Sequence, residues 1–163
     1  MSGARAAIRA RLEEPKIGGR LVRGLTIVRP WPWGIVVADK RIENRSWWAP
    51  HWMIGQWIAI HAGQKFEREA RDAMRAGLCG LAARRCPPQA EHVHSAIVGV
   101  AILARCTDVD PVLDDPWATG PVCWQLEGVR ALKQPIPHRG GQRLWRLEAQ
   151  AFELLECELK RAA

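Results

Sequence analysis

The sequence predicts a mainly β fold that also contains helices, an α+β protein built as a small β-barrel with one inserted helix and a C-terminal helix. Short stretches of alternating or continuous apolar residues recur along the chain, as strands do. Helical patterns are few, and strands and helices do not alternate in the regular order that builds a parallel sheet. A sheet closed into a barrel has no exposed edges, which favours that architecture for so many short strands.

Length and composition point to one soluble domain. The chain has 163 residues, of which 48% are hydrophobic and 25% charged, enough for an ordinary apolar core. No apolar run approaches the roughly 20 residues of a membrane helix, and the first residues lack the apolar segment of a secretory signal. Five cysteines is an odd number, so we expect reduced thiols in a cytoplasmic protein.

The distribution of charge separates the first residues from the rest. The net charge is +7, which suits an anionic partner. Residues 1–23 hold six basic and two acidic side chains, whereas the remaining residues hold 18 basic and 15 acidic ones. We therefore predict a basic, partly disordered N-terminal extension over residues 1–23 and one folded domain over residues 24–163.

Two strands flanking a short helix are predicted at the start of the domain. Residues 25–29 alternate between apolar and polar side chains, as a half-buried strand does. Two prolines then open a helix over 33–38, because the first helical turn tolerates proline. Residues 41–47 form the next strand, which places every second side chain, including Glu43 and Arg45, on one face.

The later elements follow from apolar patterning. Further strands are predicted at 57–62, 96–104, 122–127 and 144–147. The run at 96–104 is almost wholly apolar, which is typical of a strand buried on both faces. An apolar stripe at helical spacing predicts a helix over 66–78, and a second amphipathic pattern predicts the C-terminal helix over 148–160.

The stretch from residue 25 to 62 concentrates charged and aromatic side chains. Lys40, Glu43 and Arg45 lie there at short spacing, and His61 follows at the end of a strand. Six indoles surround them in the sequence: Trp31, Trp33, Trp47, Trp48, Trp52 and Trp57. Cations that can hold phosphate, beside flat surfaces on which bases stack, indicate a site for a nucleotide or nucleobase.

The same stretch resembles a known family. Residues 38–45, ADKRIENR, resemble the G-x-K-x-x-E-x-R signature of the ASCH domain, a branch of the PUA-like superfamily, with Ala38 where glycine is usual. Four more pieces are similar to family strands and turns and come in the family's order: 25–31, 57–62, 96–101 and 116–145. The resemblance covers about residues 24–147.

The resemblance implies a β-barrel with a cleft between the barrel and a helix, and signature charges in that cleft. It also implies binding of RNA or, more broadly, of nucleic acid. Some members are similar to ribonucleases, and another branch hydrolyses an acetylated cytidine with a lysine and a threonine of the signature. This sequence keeps Lys40 but has Glu43 where that branch has threonine. The resemblance therefore supports the fold more strongly than that reaction.

Each polar candidate has a functional and a structural interpretation. Lys40 can bind phosphate in a cleft or be a solvated turn lysine. Glu43 and Arg45 can contact a base edge and a phosphate, or form an ion pair that braces the barrel. His61 can line the cleft or be a core histidine. Arg139, beside two glycines, is a candidate phosphate contact or a plain loop arginine.

The indoles and the cysteines also have a functional and a structural interpretation. Four indoles flank the signature and are candidates for base stacking, with core packing as the alternative: Trp31, Trp33, Trp47 and Trp48. Cys79 and Cys86 are separated by six residues, more than the two to four usual in zinc sites. We therefore predict no metal and no other cofactor.

The leading functional hypothesis is a nucleic-acid-binding module, with RNA as the expected ligand. Its predicted contact residues are Lys40, Glu43, Arg45, Trp31, Trp33, Trp47, His61 and Arg139. The alternative is a hydrolase acting on RNA or on a modified nucleoside, with Lys40 and Glu43 as the acid/base pair. A third hypothesis is an adaptor that binds a partner protein through exposed tryptophans.

Overall fold

The computed structural model describes residues 14–161, which form seven strands and three α-helices. The strands are β1 (Lys16–Ile17), β2 (Arg20–Arg29), β3 (Ile42–Arg45), β4 (Trp57–Phe66), β5 (Ala96–Asp108), β6 (Val122–Pro137) and β7 (Leu144–Trp145). The helices are α1 (Trp31–Val37), α2 (Arg68–Ala76) and α3 (Ala149–Arg161). The α+β class is therefore confirmed.

All seven strands belong to one sheet. The hydrogen-bonded order is β1-β2-β4-β5-β6-β3, and β7 pairs with β2. The β2–β4 pair is parallel and the other pairs are antiparallel. Among the described residues this path is open, since no pairing joins β1 to β3. The predicted closure into a barrel is thus not confirmed, although the mixed sheet with helices is.

The central strands bury both of their faces. Along β4, Ile58 and Ile60 pack into one apolar cluster with Leu25 and Trp124. Trp57, on the opposite face of β4, belongs to a second cluster, which α3 covers. Side chains of a strand point alternately to its two faces, so both faces need cover. The sheet therefore lies between two apolar layers, as the continuous apolar run of β5 predicts.

The greatest difference from the predicted elements is the length of β6. The prediction ended this strand at residue 127, but β6 continues to Pro137 against β5. The register with β5 shifts three times, which interrupts the alternation that marks a strand in sequence. Beyond Gln125 the other side of β6 has no strand partner among the described residues. Pro135 falls between the β5 pairs at Ala131 and Ile136, where the ladder is interrupted, so its missing N–H is tolerated.

The predicted N-terminal extension, residues 1–23, lies partly outside the described residues and partly within them. Residues 1–13 lie outside the part of the chain that the structure describes. From Lys16 the chain forms the β1–β2 hairpin, which turns at Gly18 and Gly19. Strand β2 thus runs through the predicted boundary at residue 23, and the fold includes residues that composition alone assigned to the extension.

Two further findings concern the helices and the cysteines. Within residues 14–161, no helix has both the length and the apolar character needed to cross a bilayer. All five cysteines are free thiols.

Candidate functional site

A tight turn after α1 sets the position of Lys40. The backbone N–H groups of Ala38 and Lys40 both donate to the carbonyl of Gly34, 3.0 Å away, which ends the helix. Asp39 adopts a left-handed φ of 58° in this turn. The chain reverses, and the Lys40 side chain runs back beneath the helix. A Cβ on Gly34 would lie 3.3 Å from Cδ of Lys40, so the glycine leaves room for the lysine.

Lys40, Glu43 and Arg45, here termed the signature triad, form one ion network. Lys40 Nζ lies 2.8 Å from Oε2 of Glu43 and also donates to the carbonyl of Ile42. Arg45 Nη1 lies 3.5 Å from the other carboxylate oxygen of Glu43. One carboxylate therefore binds two cations, because alternate residues of β3 share a face and the preceding turn returns Lys40 to it.

The triad is graded from buried to accessible. Lys40 is 1% exposed and Glu43 4%, whereas Arg45 is half-buried. This differs from the expectation that all three side chains line an open cleft. The structure brings the three together as an ion network, with only the guanidinium of Arg45 near solvent.

Trp31 covers the buried part of the triad. Its ring centroid lies 5.6 Å from Lys40 Nζ, and its Nε1–H donates to Oε2 of Glu67 at 2.8 Å. Together with Glu67, Arg68, Glu69 and Ala70, Trp31 lines a hollow of about 470 Å³ at the start of α2. The indole is therefore held by a hydrogen bond above the lysine, and one part of it borders open space.

Two arginines lie close to the ring of Trp47. The guanidinium carbons of Arg45 and Arg143 are 5.6 Å and 4.3 Å from its ring centroid. Its other neighbour is the buried Trp124, which packs edge to face at 4.7 Å. We term Arg45, Trp47 and Arg143 the Arg–Trp cluster. Trp48, the next residue, is 53% exposed.

Arg143 is a residue that sequence reasoning missed. It lies in the loop before β7, is exposed, and adopts a left-handed φ of 55°. It is one arginine among many in a basic chain, and nothing in the sequence pairs it with Trp47. The pairing arises because β7 binds beside Gly24 and Leu25 of β2, which brings the loop across the sheet.

His61 and Arg139 lie at a second hollow of about 570 Å³. Its lining comprises Thr26, His61, Gly63, Gln64, Ser95, His138, Arg139 and Gly140, and we term it the histidine hollow. His61 is 2% exposed, and its Nε2 lies 2.8 Å from the carbonyl oxygen of His138. Burial lowers the pKa of His61, and the His138 carbonyl opposes that shift.

Trp33 lies at a third location. It packs edge to face against His92 at 6.2 Å and lines an apolar hollow of about 230 Å³ with Pro32, Val36 and neighbouring residues. Neither the ring contact nor this hollow involves the signature triad. The predicted site residues accordingly divide into the triad with Trp31 and Trp47, the histidine hollow with His61 and Arg139, and Trp33.

Comparison with known proteins identifies the fold. No protein-family model matches the sequence, and no curated protein matches it significantly. Among solved structures, ASCH from Zymomonas mobilis is similar over 82% of this chain and 92% of its own, with 14% identity and a TM-score of 0.51.

A single-residue mutant of that Zymomonas mobilis protein is similar to the same degree. It covers 82% of this chain and 95% of its own, with 13% identity and a TM-score of 0.51. Identities this low establish the fold and leave activity open. The predicted resemblance is confirmed at that level, and the protein has the fold of ASCH-domain proteins.

Proposed function

We propose that this protein binds single-stranded RNA through the Arg–Trp cluster. The observation that carries the proposal is the pair of guanidinium groups on the indole of Trp47, beside the exposed Trp48. RNA-binding proteins hold the backbone with cations and stack unpaired bases on aromatic rings or on guanidinium planes. The cluster offers these groups together: Arg45 and Trp47 lie at the end of the signature, and Arg143 reaches them from the loop before β7.

In this proposal the buried part of the triad positions Arg45. Lys40 and Glu43 are fixed under the surface by their ion pair, and Glu43 holds Nη1 of Arg45. An arginine whose geometry is already set loses less conformational entropy when it binds a phosphate. Lys40 and Glu43 thus act through Arg45, without contacting the ligand themselves.

Charge supports a polyanionic ligand. The chain carries a net charge of +7, and Arg143 adds a cation that no described acidic residue neutralises in an ion pair. Binding of cations to phosphates releases counterions, so affinity falls with salt. We therefore expect the RNA affinity of this site to decline steeply as the salt concentration rises.

The first test is titration of labelled single-stranded RNA at several salt concentrations. We expect Arg45→Gln and Arg143→Gln each to weaken binding and to reduce the slope of log affinity against log salt by about 0.7. Arg85→Gln is the matched control, because this exposed arginine lies outside the cluster. Absence of binding at low salt, or equal effects of all three variants, contradicts the proposal.

Aromatic stacking has a separate test. Trp48→Ala is expected to cost about 1–3 kcal/mol of RNA-binding free energy, the usual value of one stacked base. Trp52→Ala is the control, since Trp52 is 51% exposed but contacts Arg23 instead of the cluster. If both substitutions weaken binding equally, stacking at Trp48 is not specific.

The hydrolase alternative is not what this geometry favours. The Lys40 ammonium already donates to Glu43 and to the Ile42 carbonyl, and both charged side chains are buried. An acid/base pair needs hydrogen-bond reach to the substrate. Gel analysis of the RNA recovered from the titrations, and product analysis with acetylcytidine, test this alternative directly.

A further inference from the structure

One acceptor in the histidine hollow has no partner. A carbonyl can only accept, so the 2.8 Å contact with His138 assigns the ring proton of neutral His61 to Nε2. Its Nδ1 is then a bare lone pair, and it is buried with no hydrogen-bond partner among the described residues. Buried polar atoms are nearly always paired, and an exception requires an explanation.

The hollow borders the residue that carries this atom. Its volume of about 570 Å³ is within the range of pockets for small ligands. The Nδ1 edge of His61 faces Gly140, where an added Cβ would lie 3.0 Å from Nδ1. Both residues line the hollow, and a donor reaches Nδ1 when the Gly140 backbone shifts, which a residue without a side chain permits.

The lining favours an anion joined to a planar group. None of its eight residues is acidic, and the exposed Arg139 supplies a cation. Gln64 and Ser95 can each donate and accept hydrogen bonds. His138, one of the lining residues, stacks its ring on Trp145 at 4.6 Å with an interplanar angle of 20°, so a flat aromatic pair lies beside the hollow.

We infer that the histidine hollow binds one nucleoside monophosphate unit. Its phosphate contacts Arg139, and an N–H or O–H group of its base or ribose donates to Nδ1 of His61. The unit can be a free mononucleotide or the 5′-phosphorylated end of an RNA strand, since the chemistry is the same. The second source rests on the proposed RNA-binding function, whereas the first is independent of it.

Titration of the full chain with nucleoside 5′-monophosphates tests the inference. The matched nucleosides and inorganic phosphate are titrated alongside. We expect the monophosphates to bind at least about tenfold more tightly than either half alone, a difference of about 1.4 kcal/mol. Equal binding of inorganic phosphate, or no binding of any monophosphate at millimolar concentration, overturns the inference.

Two variants locate the bound ligand. Arg139→Gln removes the cation from an exposed position, and we expect monophosphate affinity to fall about tenfold. His61→Gln keeps an N–H for the His138 carbonyl but removes the Nδ1 lone pair, and should weaken the same ligands. Arg85→Gln is again the control, and thermal melts verify folding. If Arg139→Gln binds monophosphates as the parent does, the assignment fails.

A spectroscopic readout follows Nδ1 itself. A donor placed on this lone pair shifts its ¹⁵N resonance in the histidine side-chain spectrum, and we expect the shift to saturate with the titrated monophosphate. An unchanged His61 Nδ1 resonance at saturation overturns its assigned contact.

RNA carrying a 5′-phosphate or a 5′-hydroxyl separates the two sources. Tighter binding of the phosphorylated strand, lost in Arg139→Gln, assigns the hollow to an RNA end. Monophosphate binding without that preference assigns it to a free nucleotide. RNA binding that depends on Arg45 but is accompanied by neither result refutes this inference and leaves the proposed function standing.

Discussion

Lys40 is the most deeply buried charged side chain among the described residues. An ammonium taken out of water is costly unless a counterion and hydrogen bonds replace the water. Glu43 and the Ile42 carbonyl provide both. The ion pair therefore fixes the positions of the two side chains more than it stabilises the fold. A buried ion pair gains little free energy over an apolar core, but any arrangement that separates its two charges is strongly disfavoured.

Substitution of Lys40 tests how strongly the buried Glu43 depends on its ion pair. Lys40→Met leaves Glu43 buried with only the longer contact to Arg45, and we expect it to lower the free energy of unfolding by about 3–5 kcal/mol. Lys160→Met breaks the exposed pair with Glu156 and is expected to cost at most about 1 kcal/mol. Urea denaturation measures both.

The double variant Lys40→Met/Glu43→Gln separates charge from packing. It removes the orphaned carboxylate charge and should recover part of the stability lost in Lys40→Met. Equal stability of the Lys40→Met and Lys160→Met variants would show that the buried pair carries no special weight.

At the scale of elements, helix α3 covers the second apolar cluster. Ala151, Leu155 and Leu159 recur every four residues and are buried, which forms one stripe against the sheet.

The loop before β7 contributes residues to both candidate sites. Arg139 and Gly140 line the histidine hollow, and Arg143 reaches Trp47.

Adjacent leucines of α3 offer a matched pair for its packing. Leu155 is fully buried, whereas Leu154 is 48% exposed. We expect Leu155→Ala to cost about 2–5 kcal/mol, because it removes buried methyl groups and leaves a cavity. Leu154→Ala should stay within about 0.5 kcal/mol of the parent. Chemical denaturation of both variants measures this, and similar losses would place α3 away from the cluster.

For the whole molecule, two buried histidines couple stability to pH. Burial lowers the pKa of His61 and of His92. Repulsion from the neighbouring His138 adds to the shift at His61, and the Arg29 and Arg71 guanidinium groups add to it at His92. The Pro87 carbonyl and Glu91 oppose the shift at His92. Both rings are therefore neutral in the folded protein at neutral pH.

This gives a defined pH dependence. Below about pH 6.5 the two histidines take up protons in the unfolded chain but stay neutral in the folded protein. The free energy of unfolding therefore falls as the pH drops from about 6.5 toward the lowered pKa values of the folded state. Each histidine contributes at most about 1.4 kcal/mol per pH unit. Denaturation between about pH 7.5 and 5.5 should show a shallower decline for His61→Gln or His92→Gln. Exposed His94→Gln should follow the parent, and identical slopes in all variants would contradict burial.

Much of the fold follows from local patterns. Alternation and apolar runs predicted β4 and β5 and both long helices, because burial of one or both faces imposes these periods. The full length of β6 was not predictable, since bulges break its alternation and, beyond Gln125, one edge has no strand partner within residues 14–161. The β1–β2 hairpin was missed because its residues have the composition of a solvated tail.

The sequence by itself determined the fold class, the ASCH resemblance and the grouping of Lys40, Glu43 and Arg45, because these depend on residues close together along the chain. Only the tertiary structure decided that Lys40 and Glu43 are buried, that Arg143 joins Trp47, and that His61 packs against Gly140 at the edge of a hollow. Burial and contacts between distant strands depend on how the sheet packs, and no local pattern records them.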